Sequence, residues 1–528
     1  MSDDLTRPIG DAPALPPVPA AGGDRSGRRR GERPERRSLA AVLGLTVVNA
    51  VVPGTAFLAS GRRRLGAAVL VVFLLLLAGG VWLATSGQRT AARLAVDPTR
   101  LTWVLVALVV LALAWAAVVV TGYRSLLPRR SSRPRLAVGA LLVAALVAGV
   151  AYPAFRVGEA AVAQQGLLDG LFADDRQSAT VDDTVDPFGT KERVNVLLLG
   201  GDGGEGREGV RTDTVIVASI DTDTGATTLF SLPRNLEDLP FPADSPLAEL
   251  YPDGFDAGSE SESLLNSVYR NGPAAHPDVL GPTDDPGADW LKLGVGEALG
   301  LDLDYFVLVN LDGFSRLVDA LGGITVNVNY YVPINGITGQ ELPDDYIAPG
   351  PDQHMDGYTA LQFARGRFGL TDYDRMDRQR CTISAIIDEA DPITLLDQYQ
   401  ELAATTQDIV STDIPRAALD DFVDLAFLVK DAEIRSVVFD DSVIDPAYPD
   451  YDRIRQIVQD SIAPAAPASS APPAAPGDQA AGSEGDAAGE TPEPPPAAPA
   501  TDVGDACAYD PARAQEALDA GEPPSKAG

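Results

Sequence analysis

The chain has 528 residues, 45% of them hydrophobic, and a formal net charge of −34. With only 2 Cys and 2 His it is neither a disulfide-dense scaffold nor a Cys/His zinc finger. Residues 1–156 carry 20 Arg against 7 acidic residues, net +13, which leaves −47 for the remainder, the wrong sign for a domain that binds nucleic acid through its field.

Residues 1–37 are polar and rich in Pro and Arg, so they read as a disordered cytoplasmic arm without a cleavable signal peptide. A membrane region over 38–156 follows. Leu65–Thr85, Leu101–Tyr123 and Leu136–Phe155 hold no charge and reach the roughly 20 residues that a crossing needs. Leu39–Ala59 is weaker, interrupted by Asn49, Pro53 and Gly54, and runs into Arg62–Arg64. If it crossed fully, Arg62–Arg64 and the Arg-rich loop 124–135 would both fall outside. If it dips in and returns, both stay in the cytoplasm, as the positive-inside rule prefers. Three crossings then put everything after residue 156 on the extracytoplasmic face of the cell membrane.

Residues 157–190 are acidic without strong periodicity, a stalk. Over 191–462 short apolar runs alternate with helical spacing, which predicts a layered α/β domain. Val194–Leu199, Thr214–Ile220, Ala226–Leu232, Tyr305–Asn310 and Ile324–Val332 read as strands. Gly313–Leu321, Met355–Arg365, Met376–Ala390 and Pro415–Val429 read as helices. Residues 463–506, dominated by Ala, Pro, Gly, Asp and Glu, form an unfolded linker. A C-terminal segment over 507–528 includes a helix at Pro511–Ala520.

Several local patterns point to chemistry. Asp202 after one strand and Asp213 at the start of the next place two carboxylates side by side, a repulsion that a hard cation such as Mg²⁺ relieves; turn aspartates are the plainer reading. Arg234 follows a strand, and Arg365 and Arg367 end a helix. Arg375, Arg378 and Gln379 fall at i, i+3 and i+4 on one helix face, although Asp374 and Asp377 also permit a simple charged surface helix. Arg concentrated in so acidic a domain suggests a site for a polyanionic group, a diphosphate.

Asn195-Val196-Leu197-Leu198-Leu199-Gly200-Gly201-Asp202, Arg211-Thr212-Asp213-Thr214 and Ser231-Leu232-Pro233-Arg234 resemble the opening motifs of the LytR-CpsA-Psr family. Val309–Phe314, Leu317–Ile324 and the block from Met355 to Gln379 are similar to its later motifs, in the same order, over about 190–390. The resemblance implies a membrane-anchored phosphotransferase. Such an enzyme moves a glycopolymer (wall teichoic acid, capsule or arabinogalactan) from a polyprenyl-diphosphate carrier to peptidoglycan, with an apolar pocket for the lipid tail. It implies Mg²⁺ on Asp202 and Asp213, and diphosphate contacts from Arg234, Arg365, Arg367, Arg375 and Arg378, with Gln379 orienting an oxygen or an Arg. Arg211 and Asn266 fall to substrate binding, and His276 and His354 have no role. Asn235 stands where the family has an acid, and Leu264 where it often has Lys. A diphosphate hydrolase and a non-catalytic lipid-glycan scaffold stay open as alternatives. Cys381 and Cys507, both in the part placed outside, are expected to form a disulfide; a buried free Cys381 with an unrelated tail thiol is the other reading.

Overall fold

The computed structural model describes residues 38–128, 132–172, 177–181, 188, 191–202, 210–390, 410–463 and 500–526. The expected arm over 1–37 and residues 464–499 of the expected linker lie outside them. The chain divides into two compact units, Met1–Leu70 with Ala117–Leu146, and Val71–Ala116 with Val147–Gly528. Helices α1 (Leu39–Val51), α2 (Thr55–Ala59), α3 (Arg63–Thr85), α4 (Gln88–Val96), α5 (Pro98–Leu126) and α6 (Arg133–Leu171) come first. Of these, α3, α5 and α6 are long and apolar enough to cross a membrane.

In the first unit, α1 begins at a Ser38 cap and stops after 13 residues. At 1.5 Å per residue that is about 20 Å, short of a bilayer core of about 30 Å. The break is built around buried Asn49. Its Oδ1 accepts from the Gly54 and Ala56 N–H groups, and its Nδ2 donates to the Val118 carbonyl at 3.2 Å. Gly54 has φ +100° and lies so close to α3 that a Cβ would sit 2.5 Å from the Gly66 carbonyl oxygen.

The second unit contains eleven described strands: β1 (Arg193–Gly201), β2 (Thr212–Asp221), β3 (Thr227–Leu232), β4 (Tyr305–Asn310), β5 (Ile324–Val328), β6 (Val332–Ile334), β7 (Asp345–Ile347), β8 (Gly350–Met355), β9 (Val410–Thr412), β10 (Ile434–Val438) and β11 (Thr501–Asp502). Seven of them form a mixed sheet in the order β11-β10-β3-β2-β1-β4-β9, and β5–β8 and β6–β7 pair separately. β1 runs parallel to β4 and β3 parallel to β10, while β2 is antiparallel to β1 and β3. So β1, β3, β4 and β10 all end at the same edge.

Helices α7 (Pro246–Leu250), α8 (Glu260–Ser263), α9 (Leu265–Ala275) and α10 (Pro286–Leu299) fill the crossover from β3 to β4. Side chains alternate across a strand, so Leu197, Val217 and Phe230 face a core around the fully buried Trp290 of α10. Leu198, Ile216 and Leu229 face the other way, onto Ile383. Ile383 belongs to α13 (Asp372–Glu389), which follows α11 (Leu311–Ala320) and α12 (Gly357–Arg365). With both faces covered, the strands read as continuous apolar runs.

Three sequence expectations change. The first part of the presumed stalk is helix, because α6 continues to Leu171. Ala161, Gln164 and Leu168, at i, i+3 and i+7, are buried there, and Leu168 packs with Val194, Val196 and Tyr305. The single strand expected over Ile324–Val332 is two, β5 and β6. Between them Asn329 turns to the C-terminal segment, donating to the Ala508 carbonyl and accepting from the Asp510 N–H. The end of the presumed linker is also ordered, since Thr501 and Asp502 pair with Ser436 and Arg435 of β10.

Candidate functional site

The site forms where β1 and β3 end and β2 begins. Gly200 pairs with Thr214 but Gly201 with Thr212, so Asp213 is the extra residue of a bulge, a local twist that re-aims its side chain. Asp213 Oδ1 accepts from Arg234 Nη1 at 2.9 Å and, more loosely, from Asn266 Nδ2 at 3.4 Å. Burial alone pushes the Asp213 carboxyl up. The hydrogen bond and charge of Arg234, helped by Arg375 and Asn266, outweigh it and hold the pKa below the usual aspartate value. Asn266 opens α9 and is tied to the same place by its backbone N–H, which donates to the Arg234 carbonyl.

Helix α13 brings the other half. Thr371 and Asp374 form a capping box at its start, which fixes the first turn. In that turn Asp372 gathers three guanidiniums. Arg375 Nη2 lies 3.0 Å from Oδ2, and Arg234 Nε and Arg367 Nη1 each lie 3.5 Å from Oδ1. Arg375, 3% exposed, also donates to the Asp213 backbone carbonyl at 3.0 Å, and its buried Nε has no hydrogen-bond partner. Burial lowers the Arg375 pKa to about 10, with Asp372 and Asp213 pushing back, so it stays cationic at neutral pH. Arg365 and Arg367 flank Gly366, in a turn so close to β6 that a Cβ on Gly366 would sit 2.5 Å from the Pro333 carbonyl oxygen. Both are exposed and, with Asp372, Asn335 and Thr338, line a pocket of about 490 Å³.

Three expected contacts lie elsewhere. Arg378 does not face the guanidinium cluster. It is buried, its Nε donates to the Phe363 carbonyl at 2.7 Å, its Nη2 to the Gly366 carbonyl, and its Nη1 to the Tyr330 hydroxyl at 2.7 Å. It satisfies carbonyls that the end of α12 leaves unpaired and so fixes the Arg365–Arg367 turn. Gln379 Nε2 donates to Thr214 Oγ1 at 2.8 Å, docking α13 on β2. Arg211 reaches away to Glu262 at 2.7 Å, a carboxylate that also binds Arg270 and Asn271 and is held below its usual pKa, first by the Asn271 hydrogen bond. Asn235 is exposed, and Leu264 sits at the N-cap of α9 with no side-chain cap.

Asp372 is the residue that motif reading left without a role, although its place three residues before Arg375 was visible. Asp202 Oδ1 accepts from the Arg211 N–H at 2.8 Å, in the hairpin that links β1 to β2. Asp202 and Asp213 offer oxygen donors only, suited to a hard cation. Among the described residues no group of three or more His, Cys, Asp or Glu forms a complete metal cage. Such a pair suits Mg²⁺, which takes one or two carboxylates and completes its shell with phosphate oxygens and water. A larger cavity, about 1090 Å³, lies at the opposite end of β4; the buried Asp289, Lys292 and Asp413 along it are all paired within the protein. The expected bridge is present: Cys381 of α13 is bonded to Cys507, Cα to Cα 5.5 Å.

A family model described as the LytR_cpsA_psr family matches residues 169–446. The polyisoprenyl-teichoic acid–peptidoglycan teichoic acid transferase TagU of Enterococcus faecalis is 30% identical over 230 residues, 42% of this chain and 62% of that protein. Biofilm regulatory protein A of Streptococcus mutans is 25% identical over 236 residues, 43% of this chain and 52% of that protein. The chain thus spans less than two thirds of the length of these relatives. A solved structure of TagV from Bacillus subtilis covers 51% of this chain and 97% of its own at 24% identity, with a TM-score of 0.35, too low for the likeness to support anything further.

Proposed function

The chain belongs to the LytR-CpsA-Psr family, and on that premise we propose that it is a membrane-anchored phosphotransferase that attaches a glycopolymer from a polyprenyl-diphosphate carrier to peptidoglycan. The observation that carries this reading is the gathering of guanidiniums at the strand ends: among the described residues Arg234, Arg367 and Arg375 all converge on Asp372, Arg234 also pairs with Asp213, and Arg365 lines the same pocket as Arg367 and Asp372. Such a cluster is built to receive a further anion. The TagU relative, named for transfer of teichoic acid to peptidoglycan, supports the reaction class.

In this reading the diphosphate lies against those four Arg. A glycan hydroxyl attacks the sugar-bearing phosphorus, and the bond to the polyprenyl phosphate breaks. The guanidiniums neutralise charge that builds on the leaving phosphate; positioning and charge stabilisation do most of the work in phosphoryl transfer. Arg375 is fixed by Asp372 and by the Asp213 carbonyl, so it needs little reorganisation. Arg378 and Gln379 act at one remove, holding the Arg365–Arg367 turn and α13. Asp202 and Asp213 are the residues to hold Mg²⁺, which when bound neutralises diphosphate charge.

We further place the α/β domain on the extracytoplasmic side, after three crossings and a re-entrant α1–α2. Support comes from the Arg distribution and from α4. This helix lies between the first two crossings and docks on the domain helix Leu419–Lys430. Arg93 pairs with Asp424, Arg100 Nη1 lies 2.9 Å from Asp420, and Arg89 lies over the Phe427 ring. Three crossings put α4 and the domain on the same side. In intact cells, a single Cys introduced within 124–135 is expected to resist an impermeant label; labelling from outside would overturn the three-crossing arrangement.

The activity test uses the purified full-length protein, a synthetic polyprenyl-diphosphate glycan and peptidoglycan, with and without Mg²⁺. Polymer joined to the acceptor by a phosphodiester is expected. Release of glycan phosphate without joining indicates a hydrolase, and binding without turnover a scaffold.

A further inference from the structure

We propose that Arg513, in a C-terminal segment outside the stretch that the family model matches, is a positioning residue for the diphosphate site, acting through Tyr330 and Arg378 on the Arg365–Arg367 turn. This rests on the diphosphate reading above. The Arg513 guanidinium lies 4.5 Å from the centroid of the Tyr330 ring and 3.5 Å from the Asp374 carboxylate. Tyr330 in turn accepts, through its hydroxyl, the Nη1–H of Arg378 and donates to the Asp374 carbonyl at 3.3 Å. The remaining donors of Arg378 hold the Phe363 and Gly366 carbonyls. One tyrosine therefore stands between the C-terminal segment and the backbone that aims two of the four site guanidiniums.

Arg513 is delivered to this place by several independent anchors. The Cys381–Cys507 bridge ties the segment to the helix that carries Arg375 and Arg378. Asn327 Nδ2 donates to the Cys507 carbonyl at 3.0 Å, Asn329 Nδ2 to the Ala508 carbonyl at 3.1 Å, and Asn329 Oδ1 accepts from the Asp510 N–H at 2.9 Å. Residues 507–510 thus run beside 327–329, immediately before Tyr330. Asp510 then caps the helix Pro511–Ala520, with Arg513 in its first turn. Farther on, Lys526 pairs with Glu341 and Asp344 of the β6–β7 hairpin, whose residues 335–338 line the pocket beside Arg365 and Arg367. A tail held only for stability would not need a cation over the one ring that anchors Arg378.

The test measures binding of geranyl diphosphate to the full-length protein in detergent by calorimetry, alongside the thermal midpoint. Arg513→Ala is expected to weaken binding roughly two- to fivefold, the range of a partly exposed cation–π contact, with the midpoint nearly unchanged. Arg513→Lys keeps a cation over the ring and is expected to restore most of the affinity. Tyr330→Phe leaves a buried Arg378 donor unpaired and is expected to cost about tenfold. Wild-type affinity in Arg513→Ala, or equal losses in Arg513→Ala and Arg513→Lys, would overturn the proposal while Arg375→Ala still abolished binding. If the wild type itself ignores geranyl diphosphate, or Arg375→Ala binds as well as it does, the diphosphate reading falls and takes this proposal with it.

Discussion

Two charged clusters sit at opposite ends of the central sheet, and they treat charge differently. At the start of β4, Lys292 and Asp413 are almost fully buried and matched one to one, with Nζ 2.6 Å from Oδ2. The leftover valences close on backbone: Lys292 also donates to the Asp304 carbonyl, and Asp413 accepts from the Phe306 N–H. Burial pushes the Asp413 pKa above its ordinary value despite the pull of Lys292. At the far end, Asp213 moves the other way, because Arg234 and Arg375 overcome burial. The first cluster is closed on itself and serves to join α10 to β4 and β9. The second is half open: among the described residues three guanidiniums converge on the one Asp372 carboxylate, and the buried Arg375 Nε has no hydrogen-bond partner. A buried charge is thus not by itself a sign of function; an unbalanced one at a strand edge is better.

The sharpest way to break this contrast is Lys292→Met. It strands Asp413 without its partner and is expected to destabilise the protein by about 3–5 kcal/mol, whereas Lys292→Met with Asp413→Leu should recover most of that. Thermal or denaturant unfolding checks both, and a mild single variant would mean the pair is not a closed unit. Next in size, Arg234→Ala or Arg375→Ala should lower turnover by about 10- to 100-fold, from roughly 1.5–3 kcal/mol per lost charged hydrogen bond, and Arg375→Ala, which removes a buried partner of Asp372, should also lower stability. Near-normal transfer by both folded variants moves the site elsewhere.

The pH response sharpens the comparison further. The folded-state pKa of Asp213 is depressed, so its pairing with Arg234 contributes stability above the unfolded aspartate value of about 4 and loses it as pH falls through the depressed one. The difference in thermal midpoint between wild type and Asp213→Asn is therefore expected to be flat from neutral pH to about 5 and to shrink only below about 4. A difference that already fades near pH 6 would contradict the pairing. The smallest effect is expected at the exposed pairs of α4. Removing Arg93 or Arg100 alone should cost no more than about 1 kcal/mol, because surface ion pairs are screened and loosely held.

The central strands were legible because each is a run of apolar residues covered on both faces, and β4 matched its expected span residue for residue. The guanidiniums were legible as a group, and so was the bridge from Cys381 to Cys507. What sequence could not rank was the destination of each Arg. Arg375 and Arg378 share one helix face, yet one meets carboxylates and the other carbonyls, a choice made by where α12 happens to end. Arg211 was drawn off by Glu262, a partner 51 residues away. The helical continuation of α6 was missed because Gln164 interrupts the apolar spacing. Its amide is satisfied by the Ala95 carbonyl at 2.8 Å, a partner supplied only by the fold.

The two residues of β11 finish the sheet from a distance. Until they arrive, β10 is a bare edge strand with unpaired amides and carbonyls, the kind of template on which a second unfolded copy can add itself. They follow β10 in sequence by more than 60 residues, so a chain cut short before Ala500 would keep most of the core yet leave that edge open. Truncation at the C-terminus is therefore expected to show itself first as self-association during folding, with secondary structure otherwise nearly complete.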